Sequence, residues 1–283
     1  MPEHTSFISF LLHFLFGKFP FLEENVKNLG YTIQGKPVTG HHVEPLVTSL
    51  MVVLVIIGLA LGARKAIQSY ETSVIPDDKL TLRTFWELFV GYFYDMMKDM
   101  MGPKRAKRFF PVVGTLACFI FFSNMLGLVP GFLPPTSALS ITFGCALVSL
   151  ISFCYFGVKE TGAGFFTHLF GPWMGAAFIP INLLIFLIEV LSTFIIRPVT
   201  LSIRLMVNIA VDHLLASIMV SMFALLLPVP IMVLGTLVCL VQTLVFSLLT
   251  SVYITLATEG HDDHGESHGH GEKGAHGKEA AAH

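Results

Sequence analysis

Charged and amide side chains recur between residues 189 and 213, inside a run that is otherwise apolar enough to lie in a lipid bilayer. These polar positions are Glu189, Arg197, Arg204, Asn208, Asp212 and His213. A charge at mid-depth in a bilayer costs from about 3 to more than 10 kcal/mol, and such a residue by default indicates a substrate or ion pathway with a partner charge nearby. Arg204 has long, mostly apolar stretches on both sides, so it cannot be an anchor at the end of a helix.

Helical periodicity separates these side chains into two faces. At about 100° per residue, Arg197, Arg204 and Asn208 fall within one narrow stripe. His213 points to roughly the opposite face, with Asp212 between the two faces. Arginine keeps its proton at physiological pH, whereas histidine and a buried carboxylate can exchange protons near neutrality. The pattern therefore suits a proton path that approaches a permanent positive barrier without passing through it.

The composition is that of a polytopic α-helical membrane protein. The 283 residues are 54% hydrophobic and 13% charged, with a mean hydropathy of +0.74, whereas soluble chains are about 25% charged. Several apolar runs approach the roughly 20 residues that a helix needs to cross a bilayer. The four cysteines lie in apolar runs without CxxC spacing, which indicates buried thiols rather than disulfides or metal ligands.

The chain divides into three parts. Residues 1–45 form an N-terminal extracytoplasmic or interfacial segment, and 46–257 form the transmembrane domain. Residues 258–283 form a cytoplasmic tail rich in Gly, His and charge, which we expect to be disordered. Neither a spacing nor a fold fixes a metal site among its histidines, so we predict no metal and no cofactor.

We expect five membrane crossings, at residues 46–63, 109–129, 138–158, 173–227 and 231–257. The fourth covers about 55 residues, or roughly 80 Å of helix against a hydrocarbon core of about 30 Å. It is therefore a long oblique helix that forms a tilted hairpin with the fifth, and six crossings are the alternative. An amphipathic helix before the second crossing is expected on the cytoplasmic surface.

The densest basic loop sets the orientation. It ends in the cluster Lys104, Arg105, Lys107 and Arg108. Because basic loops stay cytoplasmic, the N-terminus is expected outside and the C-terminus in the cytoplasm.

Two other crossings carry uncharged polar groups. Gln242 lies mid-way along the last crossing, where it can meet the Arg204 level of an antiparallel partner, and Asn124 lies at the end of the second crossing. A stripe of hydroxyls, most of which we expect to bond their own backbone, comprises Thr236, Thr243, Ser247 and Thr250.

Three stretches together resemble subunit a of F-type ATP synthases: IRPVTLSIRLMVNIAVDHLL, VQTLVFSLLTSVYITLATE and FFSNMLGLVPGF. The resemblance covers most of residues 85–258. In that family the subunit is the stator against which a ring of c subunits turns. It holds two offset half-channels, through which protons reach and leave a carboxylate of the ring.

The resemblance implies a role for each polar residue. Arg204 would be the stator arginine that keeps the rotor carboxylate deprotonated and prevents a direct leak, with Asn208 and Gln242 as its neighbours. The residues that match or adjoin positions of the access paths are Glu189, Asp212, His213 and Asn124.

The resemblance also implies the setting. The expected partners are the c-subunit ring, the b-subunit peripheral stalk, the remaining ATP synthase subunits, the lipid bilayer and protons, without nucleic acid. The location would be the bacterial plasma (inner) membrane. The subunit would not be an enzyme, because ATP chemistry would lie in other subunits. Coupling to H⁺ or Na⁺, the ring stoichiometry and the purpose of the tail stay open.

The chain departs from the common family pattern near the arginine. Val207 replaces a small residue, and Gly235 stands where many members carry an ionisable side chain. Asp212 occupies a position that is usually small. We therefore hypothesise that Asp212 supplies the titratable group missing at Gly235.

Two other functions compete with this interpretation. A secondary transporter for metal cations is suggested by the His-rich tail together with Asp212 and His213, although no inverted repeat is found. A structural membrane anchor of a respiratory complex would tolerate loss of Arg204.

Overall fold

The computed structural model describes residues 6–18, 40–66, 81–129, 131–162, 179–222 and 228–258. These parts are helical apart from short turns, which confirms the all-α fold class. The elements are α1 (Phe7–Lys18), α2 (Gly40–Ala66), α3 (Leu82–Leu126), a 3₁₀ turn (Pro135–Ser137), α4 (Leu139–Thr161), α5 (Ile179–Leu191), a π turn (Ser192–Ile196), α6 (Arg197–Met222) and α7 (Pro228–Thr258). The tail expected to be disordered lies outside the described residues from 259 onward.

In the described ranges, five helical segments are long and apolar enough to cross a membrane, as predicted. They are Val43–Arg64, Arg83–Leu126, Leu139–Glu160, Ile181–Leu215 and Met232–Leu256. Helix α2 begins at Gly40, earlier than the predicted boundary at residue 46. Pro45 is the sixth residue of this helix, so it removes one helical hydrogen bond near the start.

The long fourth crossing is one helical path rather than two crossings. Residues 179–222 are helical throughout, and at ~1.5 Å per residue this path is about twice as long as the hydrocarbon core is thick. The π turn Ser192–Ile196 ends two residues before Pro198. A proline ring clashes with the carbonyl four residues earlier in a regular α-helix, and the wider π turn relieves that crowding. Residues 173–178 and 223–227 of the predicted crossing lie outside the described ranges.

Helix α3 reverses direction at Gly102. This residue has φ 79°, a conformation that favours glycine, and Pro103 follows it. The rings of Phe89 and Phe121 lie 5.1 Å apart and those of Tyr94 and Phe110 lie 5.5 Å apart. Residues 82–101 therefore run back along 103–126. The expected amphipathic helix forms over residues 82–101, and its place at the cytoplasmic surface stays a prediction.

A four-helix core holds the polar residues of the long crossing in place. It is built from α3, α4, α6 and α7, whose buried side chains form one cluster: Leu116, Ile120, Cys145, Ala146, Leu201, Leu205 and Phe246. Leu201 and Leu205 lie one turn apart on α6 and bury one side of that helix. The other side of α6 is left exposed around Arg204.

Helix α1 is tied to the loop after α3. The Phe7 N–H donates to the Gly131 carbonyl at 2.8 Å, and the Ser6 hydroxyl donates to the buried carboxylate of Glu44 on α2. The loop that leads to the 3₁₀ turn is therefore held by the start of α1, which is in turn anchored to α2.

Candidate functional site

Arg204 lies on an apolar outer face of α6. Its neighbours Ile203 and Val207 are also exposed, at 46% and 42%, and Arg204 itself is exposed. With the residues that the structure describes, Arg204 forms no hydrogen bond or ion pair. A permanent cation therefore projects from a surface that is otherwise apolar.

One turn beyond Arg204, α6 is joined to α7 by two amides. Asn208 Nδ2 donates to Gln242 Oε1 at 2.7 Å, and Gln242 is buried. Arg197, earlier on α6, contacts Tyr253, later on α7. The two contacts together show that the helices run antiparallel, with Gln242 close to the Arg204 level.

A cavity of ≈ 240 Å³ lies beyond this bond, between the end of α3, the second half of α6 and the first half of α7. Its polar lining consists of Asn124, Asp212, His213 and Cys239. The structure thus brings together three side chains that the sequence pointed to on two separate helices. Among the described residues, no three His, Cys, Asp or Glu side chains could hold a metal ion.

Two polar atoms at this cavity lack partners. Asp212 Oδ2 and Asn124 Nδ2 are both buried and form no hydrogen bond with any described residue. A water molecule needs about 10–15 Å³ and two to four polar partners, so this cavity has room for several. Water there would satisfy both groups and connect them to His213.

Two glycines set the width of the cavity. A Cβ atom on Gly127 would lie 2.9 Å from His213 Nε2, and one on Gly235 would lie 2.7 Å from a methyl carbon of Leu128. Either side chain would push into the cavity wall. Gly235 and Asp212 line the same cavity.

A second polar region lies on the other side of Arg204 along α5 and α6. Arg197 Nη2 is 3.6 Å from Glu189 Oε1, and the Thr193 hydroxyl is 3.5 Å from the same oxygen. The guanidinium of Arg197 also lies over the ring of Tyr253, 4.8 Å from its centroid. The adjoining cavity measures only ≈ 10 Å³, about one water.

The π turn makes the Glu189–Arg197 pair possible. In a regular α-helix, residues eight apart point about 80° away from each other. A π turn holds one extra residue, so this pair is spaced like residues seven apart and shares a face. Arg197 and Arg204 both lie in the regular helix α6, so their seven-residue spacing keeps them on one stripe, as the periodicity predicted. The long side chain of Arg197 extends from this stripe toward Tyr253 of α7.

Comparison with known proteins gives the family. The family model described as "ATP synthase A chain" matches residues 10–255. The chain belongs to this family. It is similar to proteins named ATP synthase subunit a: one from Sorangium cellulosum (51% identical, over 93% of this chain and 100% of the relative), one from Citrifermentans bemidjiense (33%, over 83% and 93%) and one from Desulfotalea psychrophila (39%, over 62% and 72%).

Membership of the ATP synthase A chain family confirms the resemblance found from the polar helix, and the five apolar helices agree with a multi-pass membrane protein. Sequence reasoning did not single out Gly127, Cys239 or Thr136 as part of the site. Thr136 donates a hydrogen bond to Asn124 from a turn twelve residues further on. The glycine in FFSNMLGLVP, three residues after Asn124, was the available signal for a close approach.

The hydroxyls of α7 behave largely as expected for packing residues. Thr236, Thr243 and Ser247 donate to backbone carbonyls four residues earlier in their own helix. Thr250 instead bonds the hydroxyl of Ser149 on α4 at 3.0 Å. None of these groups lines the larger cavity.

Proposed function

We propose that this chain is the proton-conducting stator of a bacterial rotary ATP synthase, which guides protons through two half-channels to and from a carboxylate of the c-subunit ring. The observation that carries the proposal is the exposed cation Arg204, on an apolar face between two polar regions. The larger cavity would form one half-channel, and the Glu189 region would lead to the other.

The environment of Arg204 supports a partner from outside the chain. An arginine exposed on an apolar face at bilayer depth is costly unless a counter-charge or water reaches it. A rotor carboxylate that passes this face would supply the counter-charge. Arg204 would favour the deprotonated carboxylate, because an opposite charge stabilises the ionised form. Its fixed charge would also oppose a proton that moves directly between the half-channels.

The contents of the larger cavity support a role in proton entry or exit. Asp212 and His213 are groups that can take up and release protons, and Asn124 can hold water between them. Asp212 faces the cavity that Gly235 also lines. This shared cavity supports the hypothesis that Asp212 supplies the titratable group missing at Gly235.

The remaining features of the proposal follow from the same assignment. The chain would assemble with the c ring, the b-subunit stalk and the other ATP synthase subunits in the bacterial inner membrane. Its N-terminus would be outside and its C-terminus cytoplasmic, with ATP chemistry in other subunits. Each proton would be driven by about 2.3 kcal/mol per 100 mV, in addition to the pH difference.

Disulfide cross-linking tests whether the Arg204 face meets the rotor. Val207→Cys places a thiol one turn from Arg204, to be oxidised against cysteines introduced next to the rotor carboxylate. We expect a disulfide between the two subunits in the assembled complex. Val55→Cys on α2 is the matched control, because Val55 is exposed to a similar degree, at 48% against 42% for Val207.

The control should form no rotor cross-link. If Val207→Cys also fails to cross-link in a complex that still pumps protons, the rotor does not pass this face and the proposal is wrong.

A further inference from the structure

We propose that Thr136 is a positioning residue that orients the Asn124 side-chain amide so that its NH₂ group, and not its oxygen, faces the larger cavity. The inference rests on the proposed function, since it assigns a part of the proton path. It concerns a residue on a loop, outside the membrane-crossing helices.

The contact that carries the inference is buried on both sides. Thr136 Oγ1 donates to Asn124 Oδ1 at 2.8 Å. The two residues are 0% and 1% exposed. Bulk solvent therefore cannot replace the hydroxyl as the partner of the amide oxygen.

The turn that carries Thr136 is itself fixed. Pro135 is the first residue of the 3₁₀ turn, and its ring locks its φ angle. The N–H groups of Ser137 and Ala138 donate to the carbonyls of Pro134 and Pro135 at 3.1 and 3.2 Å. The turn also packs against α6, so the Thr136 hydroxyl is held at a constant position relative to the cavity.

An amide has two ends with opposite chemistry. Its oxygen only accepts hydrogen bonds, whereas its NH₂ group donates two, and the partner bound at one end decides what the other end offers. Because Thr136 takes the oxygen of Asn124, the NH₂ group is left over. It is buried and has no partner among the described residues, and Asn124 lines the cavity.

A donor in this position has a direct consequence for the acidic group of the cavity. An NH₂ group, acting directly or through one water, hydrogen-bonds the ionised form of a carboxylate and thereby favours it. An amide oxygen there would favour the protonated acid instead. The titratable groups that face the same cavity are Asp212, His213 and Cys239. The orientation of Asn124 therefore helps to decide how readily Asp212 releases its proton.

Three substitutions at the turn separate orientation from packing. Thr136→Val keeps the shape and removes the donor, and Thr136→Ser keeps the donor. Ser137→Ala removes a neighbouring hydroxyl that donates to Pro134 O. ATP-driven proton pumping is measured in inverted vesicles and divided by the amount of assembled complex. We expect Thr136→Val to pump about twofold to tenfold more slowly, the range for one hydrogen bond, and the other two to pump like the wild type.

The double variant tests whether Thr136 acts through Asn124. Asn124→Leu should slow pumping, and adding Thr136→Val should slow it no further. If Thr136→Val does not assemble, Thr136→Ala takes its place with the same expected result. Wild-type pumping by Thr136→Val, equal slowing by Thr136→Ser, or losses that multiply in the double variant would each overturn the inference.

Failure of the inference can be told apart from failure of the proposed function. If Asn124→Leu pumps normally while Arg204→Ala does not pump, Asn124 lies off the path and only the inference falls. If Arg204→Ala also pumps normally, the proposed function is wrong.

Discussion

The two polar regions on either side of Arg204 differ in how completely their groups are paired. Around Asp212 the structure has a cavity of ≈ 240 Å³ and polar atoms without described partners. Around Arg197 the cavity measures ≈ 10 Å³, and the guanidinium is occupied by a carboxylate and an aromatic ring. The first region, which we call the open region, has room for water. In the second, which we call the closed region, the cation is paired and little space is left, although the Glu189 side chain is 42% exposed. Under the proposed function, loading a proton at Asp212 would therefore need less rearrangement than passing one by Arg197.

Side-chain size explains much of the contrast. The walls of the larger cavity include two glycines, Gly127 and Gly235. The walls of the smaller one include Phe153, Tyr253 and Leu201, which fill the space between α4, α6 and α7. Space at bilayer depth is thus provided where residues lack side chains.

Removing the carboxylate of the open region should have a large effect. We expect Asp212→Ala to lower ATP-driven pumping more than tenfold, because a relay that loses its proton-exchanging group loses a contribution of about 10²–10⁴. The effect is measured as the rate of proton pumping by vesicles that contain matched amounts of assembled complex. Asp212→Glu, which keeps the carboxylate, is the control.

The rescue of Asp212→Ala tests whether position 235 can take over. A Cβ at Gly235 would meet Leu128 at 2.7 Å, so Gly235→Glu needs the extra space of Leu128→Ala. We expect Asp212→Ala with both changes to pump faster than Asp212→Ala with Leu128→Ala alone. Equal rates would contradict the hypothesis that the two positions are equivalent, as would normal pumping by Asp212→Ala itself.

Thiol accessibility should separate the open region from the packed core. Cys239 and Cys145 are both buried, but Cys239 lines the larger cavity and Cys145 lies in the core cluster. We expect Ag⁺ to inhibit pumping of the wild type several-fold, because water in the cavity gives the ion access to a soft sulfur ligand. Pumping rates are compared with and without Ag⁺ for each variant.

Cys239→Ser should lose most of this Ag⁺ sensitivity, and Cys145→Ser should keep it. The cavity would not be accessible to ions from water if both variants were inhibited to the same extent.

Loosening the closed region should have a smaller effect. Glu189→Gln removes the charge partner of Arg197, a pair in which the carboxylate side chain is 42% exposed. Such pairs contribute about 0–1 kcal/mol, so we expect pumping to change by no more than about fivefold. Tyr253→Phe keeps the ring beneath Arg197 and serves as the control. A complete loss with Glu189→Gln would show that the region does more than hold Arg197.

The smallest effect is expected for a hydroxyl that bonds its own helix. Ser247 donates to the Thr243 carbonyl at 2.8 Å and faces neither cavity. Ser247→Ala should leave pumping within about twofold of the wild type, because the carbonyl keeps its helical hydrogen bond. A larger loss would place the hydroxyl stripe on the proton path.

Residues within one helix were predictable from the sequence. Arg204 and Asn208 are four residues apart, and a regular helix suffices to place them together. Gln242 followed from the antiparallel pairing of two long crossings. Asp212 and His213 were correctly set apart from Arg204, because their angular separation does not depend on packing.

Positions that depend on packing or irregular backbone were not predictable. The Glu189–Arg197 pair depends on the π turn between the two residues, and the contact of Arg197 with Tyr253 depends on how α6 packs against α7. Thr136 reaches Asn124 across a proline-rich turn, and the close approach of His213 to Gly127 requires the packing of α3 against α6. Helical periodicity contains no information about these distances.

The most direct test of the separation between the two regions is the proton leak in Arg204→Ala. Passive proton conduction and ATP synthesis are measured in the same vesicles, with Arg64→Ala as control, since Arg64 is an exposed arginine at the end of α2. We predict that Arg204→Ala loses ATP synthesis and still conducts protons passively, while Arg64→Ala behaves like the wild type. ATP synthesis at the wild-type rate in Arg204→Ala would contradict the role of this arginine as the barrier.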